Sequence, residues 1–427
     1  MLYARVYQKS AVIKDCFELI IIMRVVSFDI NNISTYKIGI WVVSSYFFVF
    51  AISTGLMPMM GFAGAGAITK LYFLIVCVIA SQYVLTEGKI LDWLFILFTF
   101  TVAIASILQT YETDLFIDGI STIPSMYFFL IGRSQKIKVS NIINRGLSVY
   151  LIVAIIGLYL FFTMPSWYLN WKLNDNVKTL TDNVILEMTR LSAFWPYPYW
   201  VSYGGMIIYT FVVCNMLKKN TYTYVDVSML GLIFVVLILA QQRTPIYCIS
   251  LTTIFFVLYR TIQNKSLKEL TTVILFLIIV LYLLVNFVAD DFLTRALFKY
   301  EQSTNDSFLR ERSEIFSYFL DRDYSFWGDG IGRYSHGAYF KYGRKAITDQ
   351  NYLKILYENG LFGIIGYSFF ILYSLFRGLK NFKHKFFELS IVVFYLIGMF
   401  GANCISNIQQ HALIFWLCCG QLTINNK

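Results

Sequence analysis

The chain has 427 residues, of which 58% are hydrophobic, 18% aromatic and only 14% charged, and its mean hydropathy is +0.62. This composition is too apolar for a soluble protein and predicts many membrane spans. The net charge of +10 does not indicate nucleic-acid binding, because Lys and Arg collect in the cytoplasmic loops of membrane proteins and no basic RNA-binding motif is visible.

The N-terminal residues predict no cleavable signal, because charged side chains interrupt the only early apolar run and no A-x-A site follows it. The stretch IKDCFELIIIMRVVSF, within about 11–28, has the pattern of an amphipathic helix on the inner membrane surface. A first span that carries charges is the alternative.

Runs of about 20 apolar residues predict about twelve transmembrane helices in one integral membrane domain that covers 1–427. The predicted spans lie near 38–56, 69–86, 91–110, 117–133, 146–163, 199–217, 224–242, 244–261, 270–289, 352–376, 387–403 and 409–424.

Charge asymmetry orients these spans. Lys and Arg concentrate in alternate connections, which places those connections and both termini in the cytoplasm, whereas the stretch 110–119 has neither residue and falls outside. Two long connections, about 164–198 and 290–351, also fall outside, and long loops on compact bundles are usually functional or disordered. The predicted fold is therefore all-α: a polytopic membrane bundle with two long outer loops.

Cysteine and histidine spacing gives no metal motif. The seven cysteines form no CxxC, and the three histidines form no HExxH or zinc set. We predict buried cysteines that act as small hydrophobes, no metal and no cofactor.

The second outer loop contains a predicted helix that Asp306 or Ser307 can cap. Arg312 lies on the apolar stripe of this helix, whereas Arg310 lies on another face, where Glu314 at i+4 can pair with it. An arginine on an apolar stripe either snorkels to the membrane surface or faces a cavity and binds an anion.

The block WGDGIG follows that helix, and its glycines Gly328, Gly330 and Gly332 form either a plain turn or a backbone surface close to a ligand. The loop then re-enters the membrane at Asp349, Gln350 and Asn351, which either mark the membrane interface or line a polar cavity. The pair Asn359–Gly360 should break the following helix near its start.

The first outer loop also carries an arginine, Arg190, before a group of aromatic residues that includes Trp195, Tyr197 and Tyr199. These aromatics are either an interfacial belt or a surface on which sugar rings stack. Arg243, in the tight outer hairpin QQRTP, either snorkels or joins the other outward arginines. The planar fork of arginine suits phosphate, so a lipid that carries phosphate and sugar fits this combination.

These features resemble the O-antigen polymerases of the Wzy type, within the O-antigen ligase/polymerase superfamily. That family has two large periplasmic loops, each with an Arg-X(about 13–15)-Gly pattern. Here Arg312 and Gly328 are separated by fifteen residues, and Arg190 precedes Gly204 and Gly205 by thirteen and fourteen intervening residues. WGDGIG and DQNYLKILYENGLFG resemble the family's GxGxG and HNxxLxxLxExGxxG blocks, and QRTP resembles its S-R-T segment. Ligases carry a His where this chain has Gln350, which favours a polymerase.

The resemblance implies a GT-C-like glycosyltransferase that needs no metal. It would move the growing chain from undecaprenyl pyrophosphate onto a new undecaprenyl-pyrophosphate-linked repeat unit. The partners implied are these lipid-linked oligosaccharides, membrane lipid and a chain-length regulator protein. The alternatives are an O-antigen ligase and a capsule or exopolysaccharide polymerase. A lipid-linked-sugar flippase is less favoured because the spans are nearly charge-free, and a scaffold or sensor because it would not need two arginine-bearing loops on one side.

Two groups of site residues follow from this interpretation. The catalytic candidates include two arginines that would stabilise the departing pyrophosphate, Arg312 and Arg190. They also include three possible bases, between which the sequence does not distinguish: Asp349, Glu314 and His336. The substrate-binding candidates are Arg243, Arg310, Trp195, Tyr197, Tyr199, Gly328, Gly330, Gly332, Gln350 and Asn351.

Overall fold

The computed structural model describes residues 33–62, 64–109, 122–179, 190–195, 197–219, 223–264, 325–335, 350–400, 402–406 and 410–424, with single residues between some of these ranges. Within these ranges every regular element is a helix and no strand occurs, which confirms the all-α fold class. The predicted interfacial helix at 11–28, the predicted span at 270–289 and most of the loop at 290–351 lie outside the described residues.

The first half of the bundle begins with a helix that changes from α-helical to π-helical geometry. α1 (Ile33–Ser44) and α2 (Tyr46–Phe50) lead into a π-helical segment, Ala51–Leu56, and a single α-helical turn, Met57–Met59. The helices that follow are α3 (Ala65–Glu87), α4 (Ile90–Gln109), α5 (Thr122–Met126), α6 (Phe128–Arg133), α7 (Val139–Thr163) and α8 (Ser166–Thr179).

In the second half, the described residues contain three helices before the large outer loop and three after it. They are α9 (Tyr199–Lys219), α10 (Tyr224–Ala240), α11 (Arg243–Asn264), α12 (Asn351–Lys380), α13 (Phe382–Gly398) and α14 (Ala412–Leu422).

A helix therefore lies within each predicted span that falls in the described ranges, although the helix of the predicted span 387–403 ends at Gly398 and that of 409–424 begins at Ala412. By length and composition, five of the described helices can cross a membrane: Gly66–Glu87, Ile90–Gln109, Val139–Thr163, Tyr199–Lys219 and Asn351–Lys380. The predicted span at 117–133 is instead two short helices, α5 and α6. We conclude that the protein is a helical membrane protein, whereas the count of twelve spans stays a prediction.

The centre of the bundle is formed by α9 and α14. Almost every side chain of α9 is buried, and all residues of α14 from Ala412 to Leu422 are buried. By contrast α4 and α7 bury one face and expose large apolar residues on the other, such as Leu97, Phe100 and Phe162. That distribution is typical of helices that face lipid around a protein-packed centre, because lipid tails are as apolar as the core itself.

Glycines let α14 approach α6 closely. A Cβ atom on Gly420 would lie 2.9 Å from the carbonyl carbon of Phe129, and one on Gly132 would lie 3.1 Å from the backbone nitrogen of Gln421. Small residues at such crossings allow the van der Waals contact that holds membrane helices together.

A buried ion pair joins α4 to α6 at the predicted cytoplasmic end. The Arg133 guanidinium pairs with the Asp92 carboxylate, and both side chains are buried. Asp92 also accepts a hydrogen bond from the backbone N–H of Lys89 (2.8 Å), and Arg133 also donates to the Thr423 hydroxyl beyond α14. Because each charge has several partners, the pair can be buried without leaving an unpaired ion.

Candidate functional site

The structure describes only part of the predicted site. Five of the candidates lie outside the described residues, and their roles stay predictions: Arg310, Arg312, Glu314, His336 and Asp349. The arginine of the first outer loop, the glycine block and the start of α12 are described, so the site is built from these segments.

The three glycines of WGDGIG all adopt a backbone conformation that other residues avoid. Their φ angles are 77° for Gly328, 99° for Gly330 and 85° for Gly332. Side chains with a Cβ atom are strained in this region, whereas glycine enters it freely. The glycine block, residues 328–332, is therefore a tight loop whose shape depends on these glycines.

This glycine block docks onto a break in α12. Gly360 interrupts the helix with φ 67° and ψ −167°, as the Asn359–Gly360 pair predicts. The N–H of Asp329 donates to the carbonyl of Tyr357 (2.7 Å), and the N–H of Gly330 donates to the carbonyl of Glu358 (3.0 Å). A helix break leaves backbone groups without intrahelical partners, and here the loop supplies those partners.

The fit between the two segments leaves no space for a side chain. A Cβ atom on Gly328 would lie 2.5 Å from the backbone nitrogen of Gly360, and one on Gly360 would lie 2.6 Å from the carbonyl carbon of Phe326. The N–H of Phe362 also donates to the carbonyl of Phe326 (3.0 Å). The block 327–332 and the last part of the block 349–363, residues 357–363, thus form one interlocked unit, and both blocks carry the resemblance.

Glu358 lies at the centre of this unit. Its side chain is buried, and its Oε1 accepts a hydrogen bond from the backbone N–H of Tyr334 (3.2 Å). Lys354, one helical turn earlier, supplies an opposite charge nearby. A buried carboxylate needs such partners, and this one ties the residues after the glycine block to the helix.

The start of α12 is held by Asn351. Its backbone N–H donates to the carbonyl of Met399 (2.9 Å), and its Oδ1 accepts from the backbone N–H of Ile405 (3.3 Å). Gln350 precedes it as a half-buried N-cap that makes no side-chain capping bond. Asn351 therefore positions the segment after α13 against the predicted outer end of α12.

A polar recess opens between these elements. Its lining includes four polar residues of α12, namely Asn351, Lys354, Glu358 and Asn359, and apolar residues such as Met126, Ile331 and Tyr367. Nδ2 of Asn351 and Oδ1 of Asn359 are buried and have no hydrogen-bond partner among the described residues. Asn351 is a predicted site residue, whereas Lys354, Glu358 and Asn359 are additional polar groups on the same face of α12, at i+3, i+7 and i+8 from Asn351.

The first outer loop approaches the bundle beside the hairpin of Arg243. The carbonyl of Arg190 accepts a hydrogen bond from Lys172 Nζ (2.8 Å), and the next residue, Leu191, donates its N–H to the carbonyl of Leu239 (2.9 Å). Leu239 lies at the end of α10, and Arg243 is the first residue of α11. The backbones of two predicted arginines are thus brought to the same end of the bundle.

Trp195 differs from the expectation of a sugar-stacking surface. Its side chain is fully buried, its ring stacks on Trp200 with centroids 4.3 Å apart, and its Nε1 donates to Thr54 Oγ1 (3.1 Å). The loop folds back onto α9, so Trp200 covers the face of the Trp195 ring and that face is not available to a sugar. Tyr197 and Tyr199 are only partly buried, with ring centroids 5.9 Å apart, and they stay candidates.

A buried histidine supports this aromatic core, and the sequence gives no pattern that identifies it. His411 adopts a φ of 57° and lies within hydrogen-bond distance of the Tyr46 hydroxyl through Nδ1 (2.7 Å) and of the Trp200 carbonyl through Nε2 (3.0 Å). It connects the start of α14 to α2 and α9. Only the tertiary structure joins residues so far apart in sequence.

Metal-ligating residues do not gather in the described part of the chain. No group of three or more His, Cys, Asp or Glu side chains with the arrangement of a metal site occurs there. The prediction of a metal-independent reaction remains a prediction.

Comparison of the chain with protein-family models, with curated proteins and with solved structures finds no match.

Proposed function

We propose that the protein is an O-antigen polymerase, which extends a lipid-linked polysaccharide at the periplasmic face of the bacterial inner membrane. The observation that carries the proposal is the interlocking of the glycine block with the broken start of α12. These segments are distant in sequence and contain the blocks on which the resemblance rests, and together they line a polar recess at the predicted outer end of an apolar helix. Polar groups in that position are typical of functional sites in membrane proteins.

The proposed reaction joins two lipid-linked sugars. A hydroxyl oxygen of the new repeat unit attacks the anomeric carbon of the growing chain's reducing-end sugar. The bond from that carbon to the pyrophosphate oxygen breaks, its electron pair leaves with undecaprenyl pyrophosphate, and the hydroxyl proton passes to a base. Asp349, Glu314 and His336 remain the candidates for that base.

Arginines supply the electrostatic part of the proposal. Negative charge develops on the departing pyrophosphate, and preorganised guanidinium groups at its oxygens would stabilise the transition state. Arg312 and Arg190 are the first choices, with Arg243 and Arg310 as further phosphate contacts. The hydrogen bonds that fix Arg190 and Leu191 beside the hairpin of Arg243 support a shared arginine region.

The test is the pattern of surface polysaccharide on a gel, in a strain from which the gene is deleted and then restored. A polymerase deletion leaves lipid A-core with a single repeat unit, and the wild-type gene restores the ladder of lengths. We expect Arg312→Ala to remove the ladder, since the loss of one such donor costs about 10²–10³ in rate. Arg312→Lys separates a requirement for positive charge from a requirement for the planar fork.

Each other outcome rejects a part of the proposal. If the deletion also removes the single repeat unit, a ligase or a flippase is the better interpretation. If the lipopolysaccharide ladder is unaffected but capsule or another exopolysaccharide is lost, the protein polymerises that polysaccharide and not O-antigen. If the Arg312→Ala protein is expressed and restores a full ladder, the catalytic role proposed for the second outer loop is wrong.

A further inference from the structure

A buried cation lies near the predicted cytoplasmic end of α13, on the opposite side of the predicted membrane from the glycine block. Only 8% of Lys385 is exposed, and its ammonium group makes no hydrogen bond or ion pair within the described part of the chain. An ammonium group has three donors, and its transfer out of water is costly unless acceptors or an anion replace the water. Lys385 therefore needs a counter-charge.

Glu388, at i+3 on the same helix, supplies only part of that counter-charge. Its carboxylate attracts the ammonium group of Lys385, but its Oε2 is closed to solvent and has no hydrogen-bond partner among the described residues. Two exposed lysines act on the same place: Lys138, the N-cap of α7, and Lys218, in the last turn of α9. Three lysines and one glutamate leave a net charge of +2 in this lysine cluster, which consists of Lys138, Lys218 and Lys385.

Contacts between four helices bring the lysine cluster together. Gln421 of α14 donates from Nε2 to the carbonyl of Ile137 (2.8 Å), which fixes the start of α7 against the centre of the bundle. On α9, Phe211 packs edge-on against Phe387 of α13, with ring centroids 5.5 Å apart. α13 also departs from helical geometry at Lys385 (φ −114°, ψ 20°), so the rest of the helix begins there, and the partial positive charge of its N-terminus adds to the cluster.

An aromatic strip beside the cluster indicates the kind of anion. The ring of Phe386 stacks on Phe255 of α11, with centroids 4.8 Å apart, and Phe382 packs edge-on against Phe386 at 5.3 Å. Phe382 and Phe255 nevertheless stay exposed. Lysines bind phosphate as point charges, and basic pockets between helices at the cytoplasmic side of a membrane bind phospholipid headgroups. Charge beside exposed apolar surface therefore fits a phospholipid better than a free anion.

We propose that the lysine cluster binds the phosphate of an anionic phospholipid at the predicted cytoplasmic surface, with an acyl chain along the strip formed by Phe382, Phe386 and Phe255. The headgroup supplies the negative charge that Glu388 alone does not, and it joins the ends of α7, α9 and α13. This site lies at the other end of the bundle from the arginines that would hold pyrophosphate. The inference does not depend on the proposed function.

The experiment measures lipid binding to the full chain by native mass spectrometry in an uncharged detergent. The delipidated protein is titrated with phosphatidylglycerol and with phosphatidylcholine of the same acyl chains, and inorganic phosphate serves as a competing probe. The first variant is Lys385→Gln. The second is Lys218→Gln, which changes an exposed side chain and should fold even if the first variant does not. Lys89→Gln is the matched control, because Lys89 is an exposed lysine on the predicted cytoplasmic side that lies outside the cluster.

We expect wild type and Lys89→Gln to bind phosphatidylglycerol more tightly than phosphatidylcholine. Lys385→Gln should weaken phosphatidylglycerol binding about tenfold, which corresponds to about 1.4 kcal/mol, and Lys218→Gln should weaken it less, since its ammonium group is in water. Glu388→Gln separates a lipid site from an internal pair. Loss of the repelling carboxylate should strengthen phosphatidylglycerol binding, whereas a lysine that serves only Glu388 predicts no change in binding.

Three results would overturn the proposal: both phospholipids bind equally to the wild type, the two cluster variants bind phosphatidylglycerol as well as Lys89→Gln does, or Glu388→Gln leaves binding unchanged. If inorganic phosphate at the same concentration displaces phosphatidylglycerol, the cluster is a site for free phosphate and its assignment to a lipid is wrong. The assay measures no polymer, so a failure here is distinct from a failure of the gel test.

Discussion

Substitution of Gly360 by alanine tests the docking of the glycine block most directly. The backbone at this position has φ 67° and ψ −167°, a conformation open almost only to glycine, and holding another residue there costs about 1–3 kcal/mol. The new Cβ atom would also lie 2.6 Å from the carbonyl carbon of Phe326, so the loop must move. Forced repacking of this kind costs about 1–3 kcal/mol more. The expected loss in free energy of unfolding is therefore about 2–6 kcal/mol.

Gly231→Ala provides the matched control for this substitution. Gly231 lies within α10, and a Cβ atom there would meet no heavy atom within 4 Å. Alanine in a helix interior is favoured over glycine by about 0.5–1 kcal/mol, so this variant should be as stable as wild type or slightly more stable. The two variants make the same chemical change and differ only in backbone conformation and space.

The assay is thermal unfolding of each purified variant in one membrane mimetic, followed by size-exclusion chromatography of the heated sample. Gly360→Ala should lose its monodisperse peak at a lower temperature than both wild type and Gly231→Ala. A second readout is proteolysis, which should cut near the glycine block faster in Gly360→Ala. If the two alanine variants unfold at the same temperature and are cut at the same rate, the interlocked arrangement of 327–332 with 357–363 is wrong.

Three further predictions concern buried polar and aromatic groups. Glu358→Gln keeps an oxygen for the N–H of Tyr334 and should fold, whereas Glu358→Ala leaves that N–H unpaired and should lower stability by about 1–3 kcal/mol in the same unfolding assay. Asp92→Ala leaves Arg133 as a buried charge without its carboxylate partner and should lower the free energy of unfolding by about 3–5 kcal/mol. Adding Arg133→Met should recover part of that loss. Equal stability of the single and the double variant would contradict this prediction. Trp195→Ala should cost about 3–5 kcal/mol in the same unfolding assay. Trp195→Phe keeps most of the packing and should restore a full polysaccharide ladder; loss of the ladder in a stably folded Trp195→Phe protein would return this ring to the substrate site.

Local patterns predicted much of the helical framework. Apolar runs of span length locate α3, α4, α7, α9 and α12 to within a few residues at most ends, because these helices bury or expose continuous apolar surface. The break at Gly360 was also predictable, since an Asn–Gly pair disfavours an uninterrupted helix. The short helices α5 and α6 were harder to predict, because together they have only the apolar length of one span.

Contacts between distant segments account for what the sequence analysis missed. Nothing in WGDGIG indicates that its backbone will bind the carbonyls of Tyr357 and Glu358, which follow it by more than twenty residues. Trp195 has the composition of an interfacial belt, and only the fold places Trp200 against its ring. His411 likewise acquires its role from partners in two other helices.

The packing of α6 against α14 has a consequence for biogenesis. All of α6 except Arg133 is buried, largely by α14, yet Ala412 follows Arg133 by 279 residues in the chain. At about 5–20 residues per second, the ribosome needs about 15–55 s to make that interval. During this time the side of α6 that packs against α14 has no native neighbour. A nascent chain in the membrane must therefore shield α6 temporarily, with lipid, an insertase or a non-native helix, until α14 displaces the substitute.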